Sequence, residues 1–383
     1  MIPPPWQERL RQQADQRRAL GRDRAIHPAA GVDVCSNDYL GLRNDPRLAE
    51  AAAQAGRTFG AGAGAARLLR GTSPLHDDLE ATLARWKGTE ACLLFNTGYQ
   101  ANATLIPALA GANDAVFSDA LNHASLVDGC RMARASGAHL GVFRHLDLED
   151  LAAQLAAWRA TAPVGALALV ATDAVFSMDG DAAELPSLIE LCEQQGALLL
   201  IDEAHATGLL GSDGAGLAQL QGVHGRVPLV MGTLGKAIGA FGAFVCCDQR
   251  LREHLVNTAR GFIFSTALPA TVVGAALEGV RIARAEPWRR TRALAHADRL
   301  RTQLNLPHLP SAIVPVHVGA DAAAVGLAAT LQAGGFDVRA VRPPTVAEGT
   351  ARLRITTGAH LEEEQVAALC LAISRHFPIS RLS

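Results

Sequence analysis

Residues 197–205 read ALLLIDEAH, and this stretch decides the fold class. It begins with five consecutive apolar residues, which is typical of a strand that is buried on both faces. Such strands belong to parallel sheets that helices cover on each side. Asp202 and His205 follow where the apolar run ends. They are therefore predicted to lie at the carboxyl edge of the sheet, where ligands of open α/β sheets bind.

The same alternation of strand and helix continues in both directions along the chain. Further buried strands are predicted at 91–96, 114–119, 139–145, 165–177, 228–233 and 242–247. Helices are predicted between them at 99–110, from Ser125, at 147–160 and at 185–196. The fold class is therefore predicted to be α/β, with a large domain built on a mostly parallel sheet.

The pattern changes after about residue 265 and predicts a second, smaller α/β domain. A long helical region comes first, then strands at 311–319, 336–341 and 351–356, and a last helix from Leu361. The glycine- and alanine-rich stretch 57–74 is predicted to be a loop. The predicted division is an N-terminal helix or arm at 1–40, a large domain at 41–270 and a small C-terminal domain at 271–383.

Composition narrows the functional class. Of 383 residues, 49% are hydrophobic and 19% are charged, which indicates a globular protein. The net charge of −2 gives no reason to expect a nucleic acid or a membrane as partner. No apolar run reaches the roughly 18 residues of a membrane-spanning helix. The seven cysteines lack CxxC spacing, so we expect free thiols, a cytoplasmic location and no metal site.

Lysine is rare in this chain. Only Lys87 and Lys236 are lysine among 35 basic residues, and the others are arginine. A lysine amine can lose its proton and attack a carbonyl carbon, whereas arginine stays protonated. Lys236 lies between Gly235 and Ala237, just after a predicted buried strand, and is predicted to be a nucleophile at a ligand site. Lys87, in RWKGTE, is expected to be an exposed helix end.

Polar residues follow other predicted strands as well. Gly98 and Tyr99 open a helix after the first strand, which suits a phosphate, although an ordinary strand–helix turn has the same pattern. The remaining candidates at this edge are His123, Ser177 and Thr233. A phosphate cradle, the buried acid Asp202 and the amine of Lys236 together match the needs of pyridoxal 5′-phosphate (PLP).

A helicase is the main alternative, because DEAH also occurs in nucleotide-driven helicases. The stretch GTLGKA (232–237) superficially resembles a phosphate-binding P-loop. However, Val230 replaces the first glycine of that motif and Ala237 replaces its magnesium-binding hydroxyl. The order of the two motifs is also reversed, and no basic stripe accompanies them. These departures exclude the helicase interpretation.

Nine motifs in consistent order resemble the α-oxoamine synthases, which are fold-type I PLP-dependent transferases with an aspartate aminotransferase-like fold. They are SNDYLGL (36–42), LHDDLE (75–80), NTGYQAN (96–102), LNHASLVDG (121–129), FSMDGD (176–181), DEAHATGLLG (202–211), GTLGKAIGAFG (232–242), FSTALP (264–269) and RPPTVAEGTARLRIT (342–356). Members of this family condense an amino acid with an acyl thioester and release carbon dioxide.

The resemblance implies roles for individual residues. Lys236 would hold PLP covalently and then act as base, Asp202 would keep the pyridine nitrogen protonated, and His123 would stack on the ring. Cofactor contacts would come from Gly98, Tyr99, Ser177, His205, Thr233, Ser265 and Thr266, the last two reaching the partner subunit of a homodimer. Asn37 and Arg354 would bind the substrate carboxylate, and Thr345 and one of Arg22 or Arg24 would lie near the acyl chain. His123 and Arg342 would also contact the substrate.

Within the family, residues 342–356 resemble most the members that join L-alanine to a pimeloyl thioester in biotin synthesis. The alternative is a sibling enzyme that uses glycine or serine with another acyl-coenzyme A. The sequence does not show whether the acyl group arrives on coenzyme A or on a carrier protein. The arginine-rich N-terminus is either a solvated amphipathic helix or a docking surface for an acidic acyl carrier protein.

Overall fold

A seven-stranded sheet organises the chain, and the computed structural model describes residues 1–376. The strands of all sheets within residues 1–376 are β1 (Val32–Asp33), β2 (Ala91–Phe95), β3 (Ala115–Asp119), β4 (His139–Phe143), β5 (Ala168–Asp173), β6 (Ala197–Asp202), β7 (Leu229–Thr233), β8 (Ala243–Cys247), β9 (Ile313–Gly319), β10 (Phe336–Asp337), β11 (Ala340–Val341) and β12 (Ala351–Thr356). The large sheet has the order β2-β8-β7-β6-β5-β3-β4. The five neighbouring strands β7, β6, β5, β3 and β4 run parallel to one another. Strand β8 is antiparallel to both of its neighbours, β2 and β7. The prediction of a mostly parallel sheet is therefore confirmed.

Helices cover both faces of this sheet. Within residues 1–376 the helices are α1 (Pro4–Ala19), α2 (Pro46–Phe59), α3 (Pro74–Lys87), α4 (Gly98–Leu109), α5 (Ala124–Ala135), α6 (Leu148–Arg159), α7 (Leu185–Gln195), α8 (Leu217–Leu220), α9 (Gln249–Thr258), α10 (Arg260–Ile263), α11 (Ala270–Ala285), α12 (Pro287–Gln303), α13 (Asp321–Ala333) and α14 (Glu363–His376). Two apolar clusters pack on opposite faces of the sheet. Successive side chains of β5 and β6 belong alternately to one cluster and to the other, so both strands are buried on both faces. Between residues 1 and 376, no helix is both long enough and apolar enough to cross a bilayer.

Two predicted boundaries are wrong, for local reasons. The strand predicted at 165–177 is β5, which ends at Asp173, because the chain then folds back on itself through a bridge between Val175 and Ala182. The apolar residues after Asp173 therefore line a turn and not the sheet. Helix α2 extends to Phe59, so the glycine-rich loop begins at Gly60 and not at residue 57.

A three-stranded sheet, β11-β12-β9, lies outside the large sheet. It shares a third apolar cluster with α12, α13 and α14. Strand β1 pairs with β10 in parallel, so the segment before Cys35 joins this cluster through Val34. The domain division at 1–40, 41–270 and 271–383 stays a prediction, and residues 377–383 of its last part lie outside the described residues.

The prediction that Lys87 is exposed is wrong. Its side chain is only 2% exposed, and its amine contacts a carboxylate oxygen of Glu203 at 2.5 Å and the hydroxyl of Thr207 at 2.8 Å. The carbonyl oxygen of Ala215 accepts a third hydrogen bond. Helix α3 ends against the sheet, and the segment after β6 covers that end. The residues that bury Lys87 are more than 100 positions away in the sequence, so the residues next to it give no sign of its burial.

Candidate active site

A cavity of about 180 Å³ lies at the carboxyl ends of β6 and β7 and the amino ends of α4 and α5. Residues that come from distant parts of the sequence surround it: Gly98, Tyr99, His123, Ser125, Asp173, Asp202, Ala204, His205, Met231, Thr233 and Lys236. Seven of these were predicted from the sequence as cofactor residues. The parallel strands bring them together because their carboxyl ends meet at one edge of the sheet.

Asp202, the last residue of β6, is a buried carboxylate that two donors hold. The side-chain amide of Asn102 donates to Oδ2 at 2.7 Å, and the backbone N–H of Ala204 donates to Oδ1 at 2.8 Å. Neither donor is charged, so a buried anion here also favours a cation in the cavity. A protonated pyridine nitrogen would provide that cation.

The amine of Lys236 is 3.0 Å from Nε2 of His205. Burial lowers the pKa of Lys236 to about 8, although the charge of Asp202 acts in the opposite direction. The pKa of His205 is held well below its usual range, first by burial and then by the charge of Lys236. A neutral imidazole therefore faces an amine that loses its proton near physiological pH.

His123 begins α5 as its N-terminal cap. Its Nδ1 accepts from the backbone N–H of Ser125, and its own backbone N–H donates to Asp173 at 2.6 Å. The Ser125 hydroxyl also lies 2.7 Å from Nδ1. Burial lowers the pKa of His123. These contacts orient the ring in the lining of the cavity, where it can cover one face of a flat ligand.

The part of the cavity lined by Gly98 and Thr233 is suited to a phosphate. Helix α4 starts at Gly98, and the first backbone N–H groups of a helix have no partner within it. The hydroxyl of Thr233 is buried there, and none of residues 1–376 provides a hydrogen-bond partner for it. A Cβ atom on Gly98 would lie 2.8 Å from Cγ2 of Thr233, so a larger residue would disturb this part of the cavity. The unpartnered hydroxyl, the helix terminus, the acid and the amine together fit PLP.

The predicted carboxylate-binding pair lies beside this cavity. Nη2 of Arg354 donates to the side-chain oxygen of Asn37 at 3.0 Å, and Nε donates to the backbone carbonyl of Ser177. Within residues 1–376, Arg354 makes its hydrogen bonds through Nε and Nη2, which leaves its Nη1 for a ligand. Ser177 thus contacts Arg354 through its backbone, and its side chain is not part of the cavity lining.

The other predicted site residues form two separate groups. Ser265 and the backbone carbonyl of Thr266 accept hydrogen bonds from Asn96, away from the cavity lining. Arg22 pairs with two carboxylates, on Asp321 and Glu348. The last residues of this set connect the N-terminal arm to residues 342–345: Arg24 donates to the carbonyl of Pro343 at 3.4 Å, and Arg342 donates to the carbonyls of Gly21 and Asp23. Thr345 lies in the same loop, where its backbone N–H donates to the carbonyl of Arg342.

Several residues of the site carry no role predicted from the sequence. Asp173 ends an apolar strand in the same way as Asp202, and this signal was available, but the predicted strand continued past it to residue 177. Ser125 and Asn102 act on other side chains of the site, which no local pattern reveals. Tyr39 lies in the quoted motif SNDYLGL, but no role was predicted for it; its hydroxyl is 2.7 Å from Nδ1 of His205.

Known proteins are similar to this chain over most of its length. The family model described as aminotransferase class I and II matches residues 29–373. A protein of Anaeromyxobacter dehalogenans named 8-amino-7-oxononanoate synthase is 52% identical over 91% of this chain and 86% of its own length. A protein of Alkalilimnicola ehrlichii with the same name is 46% identical over 90% and 88%.

Solved structures show the same fold. Serine palmitoyltransferase of S. paucimobilis, with a bound PLP–myriocin aldimine, has a TM-score of 0.85 at 31% identity and covers 90% of this chain and 87% of its own. The serine palmitoyltransferase of Sphingomonas wittichii has a TM-score of 0.86 at 31% identity, with 99% and 98% covered. The 8-amino-7-oxononanoate synthase of Francisella tularensis, at 24% identity, covers 92% and 99% with a TM-score of 0.76 and supports the fold alone.

These findings confirm the predicted fold class, cofactor and enzyme type. PLP is the cofactor, and the site described above has the acid, the amine and the phosphate end that it requires. The chain belongs to the class I and II aminotransferase family and, within it, to the 8-amino-7-oxononanoate synthases, the PLP-dependent α-oxoamine synthases of biotin biosynthesis.

Proposed function

We propose that the enzyme condenses L-alanine with a pimeloyl thioester and releases 8-amino-7-oxononanoate, carbon dioxide and a free thiol. The relatives that support this choice are 46–52% identical over most of the chain, whereas the structurally similar serine palmitoyltransferases are 31% identical. A sibling reaction that starts from glycine or serine is the alternative. The observation that carries the proposal is the amine of Lys236, buried in a cavity that also contains Asp202 and His123.

PLP, when bound, supplies an electron sink for negative charge that develops at the substrate α-carbon. Asp202 would hold the ring nitrogen in its protonated form, since a buried carboxylate is stabilised by a nearby positive charge. The hydroxyl of Thr233 and the first N–H groups of α4, at Gly98 and Tyr99, would bind the phosphate. His123 would cover one face of the ring, and His205 would lie on the side of its hydroxyl.

Lys236 has two tasks in this proposal. It would hold the cofactor covalently until the amino acid replaces it, and the freed amine would then take the proton from the α-carbon. With a pKa of about 8, roughly a tenth of the amine is unprotonated at pH 7, compared with less than a thousandth at the usual lysine pKa. Burial thus prepares the amine to act as a base without removing its ability to carry a proton.

The carboxylate of the amino acid would bind Arg354 and Asn37. A guanidinium and a side-chain amide suit a carboxylate, since both offer N–H donors in a plane. Arg354 is anchored on the Ser177 carbonyl, so its position does not depend on the substrate. Loss of this carboxylate as carbon dioxide would leave Arg354 without its ligand.

The acyl chain would lie towards the N-terminal arm and residues 342–345. Arg22 already pairs with two carboxylates, whereas Arg24 makes one long hydrogen bond to a backbone carbonyl. We therefore propose Arg24, with Arg342 and Thr345, as the group near the distal end of the acyl chain. An Arg24→Ala variant is expected to raise KM for the acyl donor more than Arg22→Ala does.

The enzyme is proposed to work as a homodimer, with Ser265 and Thr266 reaching the phosphate of the partner's cofactor. Both residues lie away from the cavity of their own chain, which is consistent with a role across an interface. Analytical ultracentrifugation of the holoenzyme tests this directly. A monomeric enzyme with full activity would exclude the shared site.

Helix α1 is the proposed docking surface for a carrier-bound acyl donor. None of its side chains is buried, and it exposes Arg9, Arg11, Arg17 and Arg18. Three of these arginines are partly neutralised on the surface, Arg11 by Glu8, Arg17 by Asp23, and Arg18 by Asp15 and Asp23. Changing the four arginines to Glu should slow turnover of a carrier-bound donor and spare a coenzyme A donor. If the variant and the wild-type enzyme turned over the carrier-bound donor at equal rates, docking on α1 would be contradicted.

The test of the proposed reaction is a visible absorption titration of the purified holoenzyme. L-Alanine, glycine and L-serine are added separately, and the concentration that half-shifts the cofactor band is measured for each. The lowest midpoint is expected for L-alanine. A lower midpoint for glycine or L-serine would keep the cofactor chemistry and assign the enzyme to a sibling reaction.

A further inference from the structure

Tyr39 connects two parts of the site that were predicted separately. It is buried, with 1% of its surface exposed, and its hydroxyl lies 2.7 Å from Nδ1 of His205. The same hydroxyl accepts from Nη2 of Arg354 at 3.4 Å and donates to the side-chain oxygen of Asn37 at 3.2 Å. One oxygen atom thus contacts the carboxylate-binding pair and the histidine that faces Lys236.

We propose that Tyr39 is a positioning residue, which fixes the guanidinium of Arg354 for the substrate carboxylate and ties it to His205. This inference rests on the proposed function, in which Arg354 and Asn37 bind the amino-acid carboxylate. Tyr39 itself acts through Arg354 and His205 and has no proposed contact with the reacting atoms.

The hydrogen-bonding capacity of the hydroxyl matches its three neighbours. A phenol has one proton to donate and two lone pairs to accept. Arginine can only donate, so the hydroxyl accepts from Arg354, and Asn37 takes its proton. The second lone pair is then available for the N–H at Nδ1 of His205. All three contacts can exist at once, and a buried polar network stabilises one arrangement of its members when every group is satisfied.

Substitution by phenylalanine isolates this role. A Tyr39→Phe variant keeps the ring that packs in the core and removes only the hydroxyl. Nδ1 of His205 is then buried without this partner, and Arg354 keeps Asn37 and the Ser177 carbonyl but loses its third contact. The guanidinium gains freedom, and this costs binding energy only for ligands that use it.

Two ligands separate the carboxylate from the rest of the substrate. L-Alanine and L-alaninamide differ in the charged carboxylate and share the amine. Each is titrated into the wild-type and Tyr39→Phe holoenzymes, and the half-shift of the visible cofactor band is measured. For L-alanine the midpoint is expected to rise about tenfold, the change that follows from a lost hydrogen bond next to a charged group. For L-alaninamide it is expected to change less than about twofold.

Thr104→Val provides the matched control. It removes a half-buried hydroxyl whose hydrogen bonds within residues 1–376 go to the carbonyls of Gln100 and Ala101 in its own helix, and both midpoints should stay in place. An unchanged midpoint for L-alanine in Tyr39→Phe, or the same increase for both ligands, would overturn the proposal. If the wild-type enzyme prefers glycine or serine, that amino acid and its amide replace the alanine pair. An error in the proposed substrate is thereby distinguished from an error about Tyr39.

Discussion

Asp173 and Asp202 are register partners on the neighbouring strands β5 and β6, yet their carboxyl groups lie in different environments. Asp202 accepts from Asn102 and Ala204, whereas Oδ2 of Asp173 accepts from the backbone N–H of His123. Burial, followed by the charge of Asp202, raises the pKa of Asp173 well above its usual range. Next to Asp202, the cavity thus holds a second carboxyl group, on Asp173, that resists ionisation.

This difference predicts unequal effects of two matched substitutions. Asp202→Asn removes the charge that would keep the pyridine nitrogen protonated, and kcat should fall about 100-fold or more, as for other preorganised electrostatic groups. Asp173→Asn keeps an acceptor for the N–H of His123, and its loss should stay below about tenfold. Steady-state kinetics at saturating PLP measure both. Equal losses would contradict the different roles of Asp202 and Asp173.

Lys87 should contribute to stability and not to chemistry. Lys87→Met would leave the carboxylate of Glu203, which is 0% exposed, without its cation. Removing one partner of a buried ion pair costs about 3–5 kcal/mol, so the free energy of unfolding in urea should fall by that amount. Arg57→Met breaks the exposed pair with Glu50 and should cost about 0.5 kcal/mol or less. Similar losses for the two variants would show that the Lys87 pair is weak.

The environment of His145 leads us to expect that the free energy of unfolding falls in mild alkali. It lies between Asp119 at 2.9 Å and Asp181 at 2.7 Å, and its ring packs edge-on against Phe176. Burial alone would lower the pKa of His145, but the two carboxylates outweigh it and raise the pKa to about 9. Because the folded-state pKa lies above the unfolded value, this stabilisation is complete below about pH 6.5 and is lost as the pH rises through about 9.

The contribution is about 3 kcal/mol, from the difference between the two pKa values. Urea denaturation at pH 6 and at pH 9.5, for the wild-type protein and for His145→Asn, measures it. The stability difference between the two proteins should shrink by about this amount at the higher pH. A difference that does not depend on pH would mean that His145 is uncharged in the folded protein.

The sequence was sufficient to predict the residues whose signal is local. Asp202, Thr233 and Lys236 each follow an apolar strand, and parallel strands bring their ends together without further information. Asp173 carries the same signal, but its strand is followed by Ala174, Val175 and Phe176, which are apolar because they pack under a turn. Periodicity alone does not distinguish a buried turn from a continuing strand.

The residues that were missed depend on contacts between distant parts of the chain. Lys87 ends a helix whose local sequence is charged, and it is buried by the segment after β6 and by Phe244 of β8. Tyr39 precedes His205 by 166 positions and Arg354 by 315. No spacing rule connects such positions, so their roles follow from the tertiary structure alone.

The most direct test of the central claim is to locate the cofactor on the chain. Borohydride reduction of the holoenzyme makes a lysine–PLP bond permanent, and mass spectrometry of the digested protein then identifies the labelled peptide. Since Lys236 and Lys87 are the two lysines of the sequence, the result is unambiguous. We predict that the added pyridoxyl phosphate mass lies on Lys236. A label on Lys87, or no labelled lysine in PLP-saturated enzyme, would contradict the account.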